Sequence, residues 1–296
     1  MPEVENIKQF GMHGAHVLAN LSEKAQFDLI AEGLPVLMQS ASSLFKASGE
    51  LTNHPRSAAI LKGHASEEVA KILILIDLVR CPSSLRPSRV GEMIKLFYQH
   101  RARLIYIEAQ TWRPTNVSDL QEIIDNSRKS HYLEGEYGEY IMPNSEVHRR
   151  EEAMYADIFR DEDGTTHWSD PESRYFNREP FLFGERSEPT SWHICKALQA
   201  FGAFDRKGLE LVSEAWGKIE FCDDKNYRDA ENQTSEMLCA LQSAGLFSES
   251  ATQKQVDDLY CEWQLPMYLV DFELIKVSLE TLQEERDRKF WDECEY

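Results

Sequence analysis

Apolar residues recur at helical spacing through most of the chain. Phe27, Leu29, Ile30, Leu34, Leu37, Met38, Leu44 and Phe45 predict a first helix over residues 23–48, which Gly33-Leu34-Pro35 either bends or starts late, and which Gly49 stops. Asn53 as a cap and Pro55 in the first turn open a second helix to about Arg80, closed by Cys81-Pro82-Ser83-Ser84. A third is expected from near Ser88 to about Trp112, ended by Arg113-Pro114, and a fourth from Ser118 to about His131. Residues 132–188 lose this period and are rich in Tyr, Gly, Pro, Asp and Glu, with one helix expected over 146–160 and a turn at Asp163-Gly164. The helical period resumes over 191–203, 205–220, 228–246, 252–263 and 266–290. Strand-like alternation is scarce. The pattern therefore predicts an all-α fold: an N-terminal arm (1–22), a helical bundle (23–131), an irregular connector (132–188) and a C-terminal helical region (189–296).

The second helix carries polar groups into apolar surroundings. Ala58, Ala65, Val69, Ile72, Leu73, Ile76 and Val79 cover one broad side, while Ile74, Leu75 and Leu78 cover much of the other, which marks a helix central in its bundle. His64, Glu67, Glu68 and Lys71 nevertheless share one stripe. Burying unpaired charge is costly, so these groups need partners. Glu67 or Glu68 can reach Lys71 within the helix. The third helix offers another: Val90, Met93, Ile94, Phe97, Leu104 and Ile105 share a face with Arg101 in its middle, and His100 and Arg103 flank it. Arg101 on that face needs a carboxylate, and Glu67 or Glu68 is the candidate.

Charge narrows the function. The 296 residues carry a net charge of −19, which argues against nucleic-acid binding over a broad surface, because such affinity comes from neutralised phosphates. From Arg80 to Arg113, however, seven basic residues face two acids. This segment is either a chance cluster balanced by neighbouring acids or a local phosphate-facing patch, in which Arg80, Arg86, Arg89 and Lys95 would contact RNA. The longest apolar run, Val69 to Val79, is interrupted by Lys71 and Asp77 and falls short of the ~18 residues that suggest a membrane span. MPEVENIKQF lacks the features of a secretory signal, and six cysteines without a CxxC pair read as reduced thiols, so a cytoplasmic protein is expected. No phosphate-cradling glycine motif occurs, and no cofactor is expected. A carboxylate-bridged metal pair uses Glu-x-x-His on two helices, whereas this chain has only the reversed His64-x-x-Glu67, so no metal is expected either.

Three stretches resemble a known family. Ala58 to Leu73, with His64-Ala-Ser-Glu67-Glu68-Val-Ala-Lys71, resembles the EE-x-x-K helix of the AbiV group of HEPN-like abortive-infection proteins. Lys95 to Leu104 is similar to that group's F-x-x-H-x-x-K helix, with Arg103 in place of the lysine. Arg150 to Gly164, followed by His167-Trp168 and Pro171, resembles the segment after the helical bundle. The resemblance covers roughly residues 25–175. It implies a HEPN-like bundle, a homodimer, and an antiphage effector that cleaves RNA of the translation machinery without a metal, released by a phage-encoded activator. His100 would then be the acid/base, Arg103 or Arg101 the phosphate clamp, and Glu68 with Lys71 the orienting shell, supported by His64 and Glu67. The chain departs from the usual HEPN signature of Arg, four to six residues, His: Arg56 and His64 have seven residues between them, and Lys95 and His100 have four but with lysine. The competing reading is a non-enzymatic helical protein that holds a protein partner. Phe181, Phe183, Trp192, Phe201, Phe204 and Trp216 are expected to form the core of the C-terminal region.

Overall fold

The computed structural model describes residues 14–136, 138–160, 164–172 and 188–294, and these are mostly helical. After a 3-10 turn, Gly14–Asn20, come α1 (Glu23–Glu50), α2 (Pro55–Arg80), α3 (Arg86–Tyr98), α4 (His100–Ala109) and α5 (Val117–Ser127). The connector holds an antiparallel hairpin, β1 (His131–Glu134) with β2 (Tyr140–Pro143), then α6 (Ser145–Met154). A second hairpin follows, β3 (Ile158–Arg160) with β4 (Thr166–Trp168). The remaining helices are α7 (Thr190–Ala200), α8 (Arg206–Trp216), α9 (Tyr227–Ser243), α10 (Gln253–Glu262) and α11 (Leu279–Cys294).

Helix α2 is central because it is apolar all round from Val69 to Val79, where every residue except Lys71 is buried. It packs against α1, α3, α4, α6, α7 and α8. Helix α1 lies along it through Phe27, Ile30, Leu34, Met38 and Ala41, one face at helical spacing, and runs uninterrupted through Pro35. Residues from both halves of the chain share one core, to which Trp192, Phe201, Phe204 and Trp216 contribute; Phe181 and Phe183 lie outside the described residues.

Four expectations are corrected. The third helix is two, because Gln99 adopts an extended conformation (φ −87°, ψ 115°) and separates α3 from α4. The helix expected over 146–160 ends at Met154, and the chain continues into β3. The last helix starts at Leu279, not near Pro266. The cap of α2 is His54 in place of Asn53.

Residues 264–268 are held by a buried polar network. Asp77 accepts hydrogen bonds from Arg80 Nη1 (2.7 Å), the Met267 N–H (2.9 Å) and the Tyr106 hydroxyl. Arg80 also donates to the Gln264 carbonyl (3.0 Å), and its guanidinium lies 3.7 Å from the ring centre of Trp216 and 4.0 Å from that of Trp263. Gln264 donates to the carbonyls of Ala109 and Trp112 and accepts from Tyr227.

The turn before α8 depends on a close backbone approach. A Cβ on Gly208 would lie 1.8 Å from the carbonyl oxygen of Gly202, itself at φ +75°. Gly208→Ala should therefore cost about 1–3 kcal/mol by overpacking. Gly33→Ala, in α1 with open space at its Cβ, should stabilise by up to about 1 kcal/mol. Urea midpoints of the two variants check the contrast.

Candidate functional site

The site forms where α2, α4 and α6 meet. Asn144 caps α6 by accepting from the Val147 N–H (3.2 Å), while its amide donates to the carbonyls of Ser127 (2.7 Å) and Lys129 (2.8 Å). At the other end Arg56 of α2 donates to the carbonyls of Ala153 (2.9 Å) and Met154 (3.1 Å) and pairs with Glu172 (3.0 Å). Helix α6 is thus held at both ends, and places Arg149 and Arg150 beside α2.

Glu67 is the hub. Its carboxylate is almost fully buried, and Oε2 accepts from Arg103 Nε (3.0 Å) and Nη2 (2.5 Å) and lies 2.6 Å from His100 Nδ1. Its Oε1 accepts from Arg150 Nε (3.2 Å). A carboxylate oxygen at that distance needs a proton from the imidazole, so Nδ1 carries an N–H, and in the neutral ring Nε2 has the lone pair. Arg103 Nη2, 2.8 Å from Nδ1, then adds positive charge beside the ring without donating to it. His100 is 57% exposed, so its ring is anchored at one edge and accessible at the rest.

Arg103 also donates through Nη1 to the Phe97 carbonyl (2.8 Å), bridging the α3–α4 break. It is buried and engaged on both sides, and it holds Glu67 and His100 in place. The break at Gln99 also turns Arg101 away from the role expected of it: Arg103, not Arg101, meets the carboxylate. Arg101 is half-buried and its Nε has no hydrogen-bond partner among the described residues. Glu68 and Lys71 pair with each other (2.6 Å), and Lys71 lies 5.5 Å from the Phe97 ring centre. His64, one turn before Glu67, lines a cavity between α2 and α6.

The expected RNA-facing patch does not form as a surface. Arg80 and Arg86 are 1% and 2% exposed. Arg80 belongs to the network with Asp77. Arg86 caps the end of α2 by donating to the carbonyls of Leu78, Val79 and Cys81, and pairs with Glu23 (2.8 Å). Arg89 lines a groove against residues 268–273, and Lys95 is exposed but paired with Glu92 (2.9 Å). A long basic residue near a helix end is as able to cap carbonyls as to bind phosphate, and sequence alone does not separate the two. Arg150 was missed as a partner of Glu67, although it begins the third stretch of resemblance.

Burial pushes the Glu67 carboxyl up, but the hydrogen bonds and charges of Arg103 and His100 outweigh it and hold it below the ordinary carboxylate range. A depressed folded value means stability that is present above the ordinary range and lost as pH falls through the depressed one. Wild type should therefore lose more stability than Glu67→Gln between about pH 7 and about pH 3, measured by chemical denaturation at each pH.

No family model, curated protein or solved structure matches this chain. Among the described residues no helix is long and apolar enough to cross a membrane, and no group of three or more His, Cys, Asp or Glu side chains could hold a metal ion.

Proposed function

We propose that this protein is a cytoplasmic antiphage effector of the AbiV-like, HEPN-like kind, a metal-independent endoribonuclease that acts as a homodimer on RNA of the translation machinery once a phage product releases it. The observation that carries this reading is the contact between buried Glu67 and exposed His100, backed by Arg103. A buried carboxylate that holds Nδ1–H fixes the tautomer and stabilises the imidazolium that forms when Nε2 takes a proton. In the reaction proposed, Nε2 accepts the ribose 2′-OH proton as O2′ bonds to phosphorus. The P–O5′ bond breaks, and the proton passes from Nε2 to the departing 5′-oxygen. The products are a 2′,3′-cyclic phosphate and a 5′-hydroxyl.

The test is incubation of the purified protein with total RNA in EDTA, followed by mapping of the ends. Fragments ending in cyclic phosphate, absent with His100→Ala, are expected. Equal cleavage by wild type and variant, or no cleavage even with RNA and lysate of phage-infected cells, would sink the reading.

A further inference from the structure

The cavity between α2 and α6 has a volume of about 130 Å³; Ile60, His64 and Glu67 line it from α2, and Arg149, Arg150 and Ala153 from α6. Its donors are unspent. Arg150 is only partly exposed and uses Nε on Glu67, while its two terminal nitrogens make no hydrogen bond among the described residues. His64 makes none among the described residues either, so whichever ring nitrogen carries a proton is free to donate. Arg149, at the mouth, is paired with Glu146 through Nη2 alone. The one acid lining the cavity is Glu67, and both of its oxygens are already covered by cationic groups, Oε1 by Arg150 and Oε2 by Arg103.

Cationic donors lining a cavity whose single acid is already neutralised suit an acceptor-rich, anionic ligand, because charge-assisted bonds to oxyanions are the strong ones. We infer that this cavity is a phosphate subsite, in which Arg150 and His64 hold one phosphate group of an RNA strand whose neighbouring ribose lies at His100. The cavity has room for several waters, and so for one phosphate group. Glu67 joins the two functions, since one oxygen orients the subsite's Arg150 and the other orients the imidazole. Arg150, partly exposed where Arg103 is buried, takes the phosphate-holding part. This inference rests on the nuclease reading for its ligand, but not for its binding measurement.

The experiment is a titration of the full chain in EDTA with inorganic phosphate and with adenosine 3′-monophosphate, at ionic strength matched with chloride. Binding is followed by NMR of the histidine ring signals, with the His64 signal identified by its loss in His64→Gln. Saturable movement of that signal is expected, at lower concentration for the nucleotide than for free phosphate. Arg150→Gln should weaken the apparent affinity at least about tenfold, the equivalent of one charge-assisted bond, whereas Arg101→Gln should leave it unchanged. Phosphate that moves the His64 signal no more than chloride does would overturn the subsite. So would full affinity in a folded Arg150→Gln. If that variant does not fold, His64→Gln, which leaves every contact of Glu67 in place, must itself weaken binding as read by calorimetry, and undiminished binding overturns the inference. Phosphate binding without RNA cleavage sinks the nuclease reading and leaves the subsite standing. RNA cleavage that persists in Arg150→Gln, with no phosphate binding, does the reverse.

Discussion

Asp77→Ala should destabilise the protein by about 3–5 kcal/mol, a large share of the 5–15 kcal/mol that separates most folded domains from their unfolded chains. Asp77 and Arg80 are 3% and 1% exposed, so neither can be rescued by water. Removing the carboxylate strands three donors together: the Arg80 guanidinium, the Tyr106 hydroxyl and the Met267 N–H. Part of the Arg80 charge remains stacked against Trp216 and Trp263, which keeps the loss within that range. Urea unfolding followed by tryptophan fluorescence, to which these two of the six tryptophans contribute, measures the outcome. Asp77→Leu combined with Arg80→Met should recover only the part of the loss that comes from the unpaired charge, since the Tyr106 hydroxyl and the Met267 N–H stay without their acceptor. A change below about 1 kcal/mol in Asp77→Ala would mean that the network contributes little.

His100→Ala should lower RNA cleavage by about 10²–10⁴-fold, the usual contribution of a positioned acid/base. The same change should move stability by no more than about 0.5 kcal/mol beyond the loss of one partly solvated hydrogen bond, because the side chain is 57% exposed. This separation of activity from stability distinguishes a catalytic His100 from a structural one. Glu67→Gln provides the contrast. It removes the charge that neutralises Arg103 and steadies the imidazole, so it should reduce both cleavage and stability. Measurement of cleavage rate and urea midpoint on the same two preparations checks the pattern. Unchanged cleavage in both variants would place the chemistry elsewhere.

Much of the fold was legible because its signals are local. The spacing of Phe27, Ile30, Leu34 and Met38 defines the buried face of α1, and the continuous apolar surface of α2 requires a central position whatever the neighbours are. The capping boxes at Asn226 and Thr252, whose reciprocal side-chain bonds start α9 and α10, are shown by the structure and not by the apolar period. The hairpins were not legible. Strands of three or four residues, mostly half-buried or exposed, carry too little alternation to register.

The polar stripe on α2 was visible in the sequence, and so was the need for a cation from the following helix. Its partner was not, because a single extended residue at Gln99, marked by neither Gly nor Pro, resets the helical phase and brings Arg103 in place of Arg101 to Glu67. Arg80 and Arg86 show the same limit from the other side. Composition grouped them with a basic surface, while the interior took them as a network cation and a helix cap. Sequence by itself determined the helical class, the central α2 and the presence of charge within it, since each follows from periodicity and from the cost of burying polar groups. Only the tertiary structure decided which charges meet. That choice depends on where α6, from a distant and weakly periodic stretch, lays Arg150 against Glu67, leaving His100 as the exposed edge of the cluster.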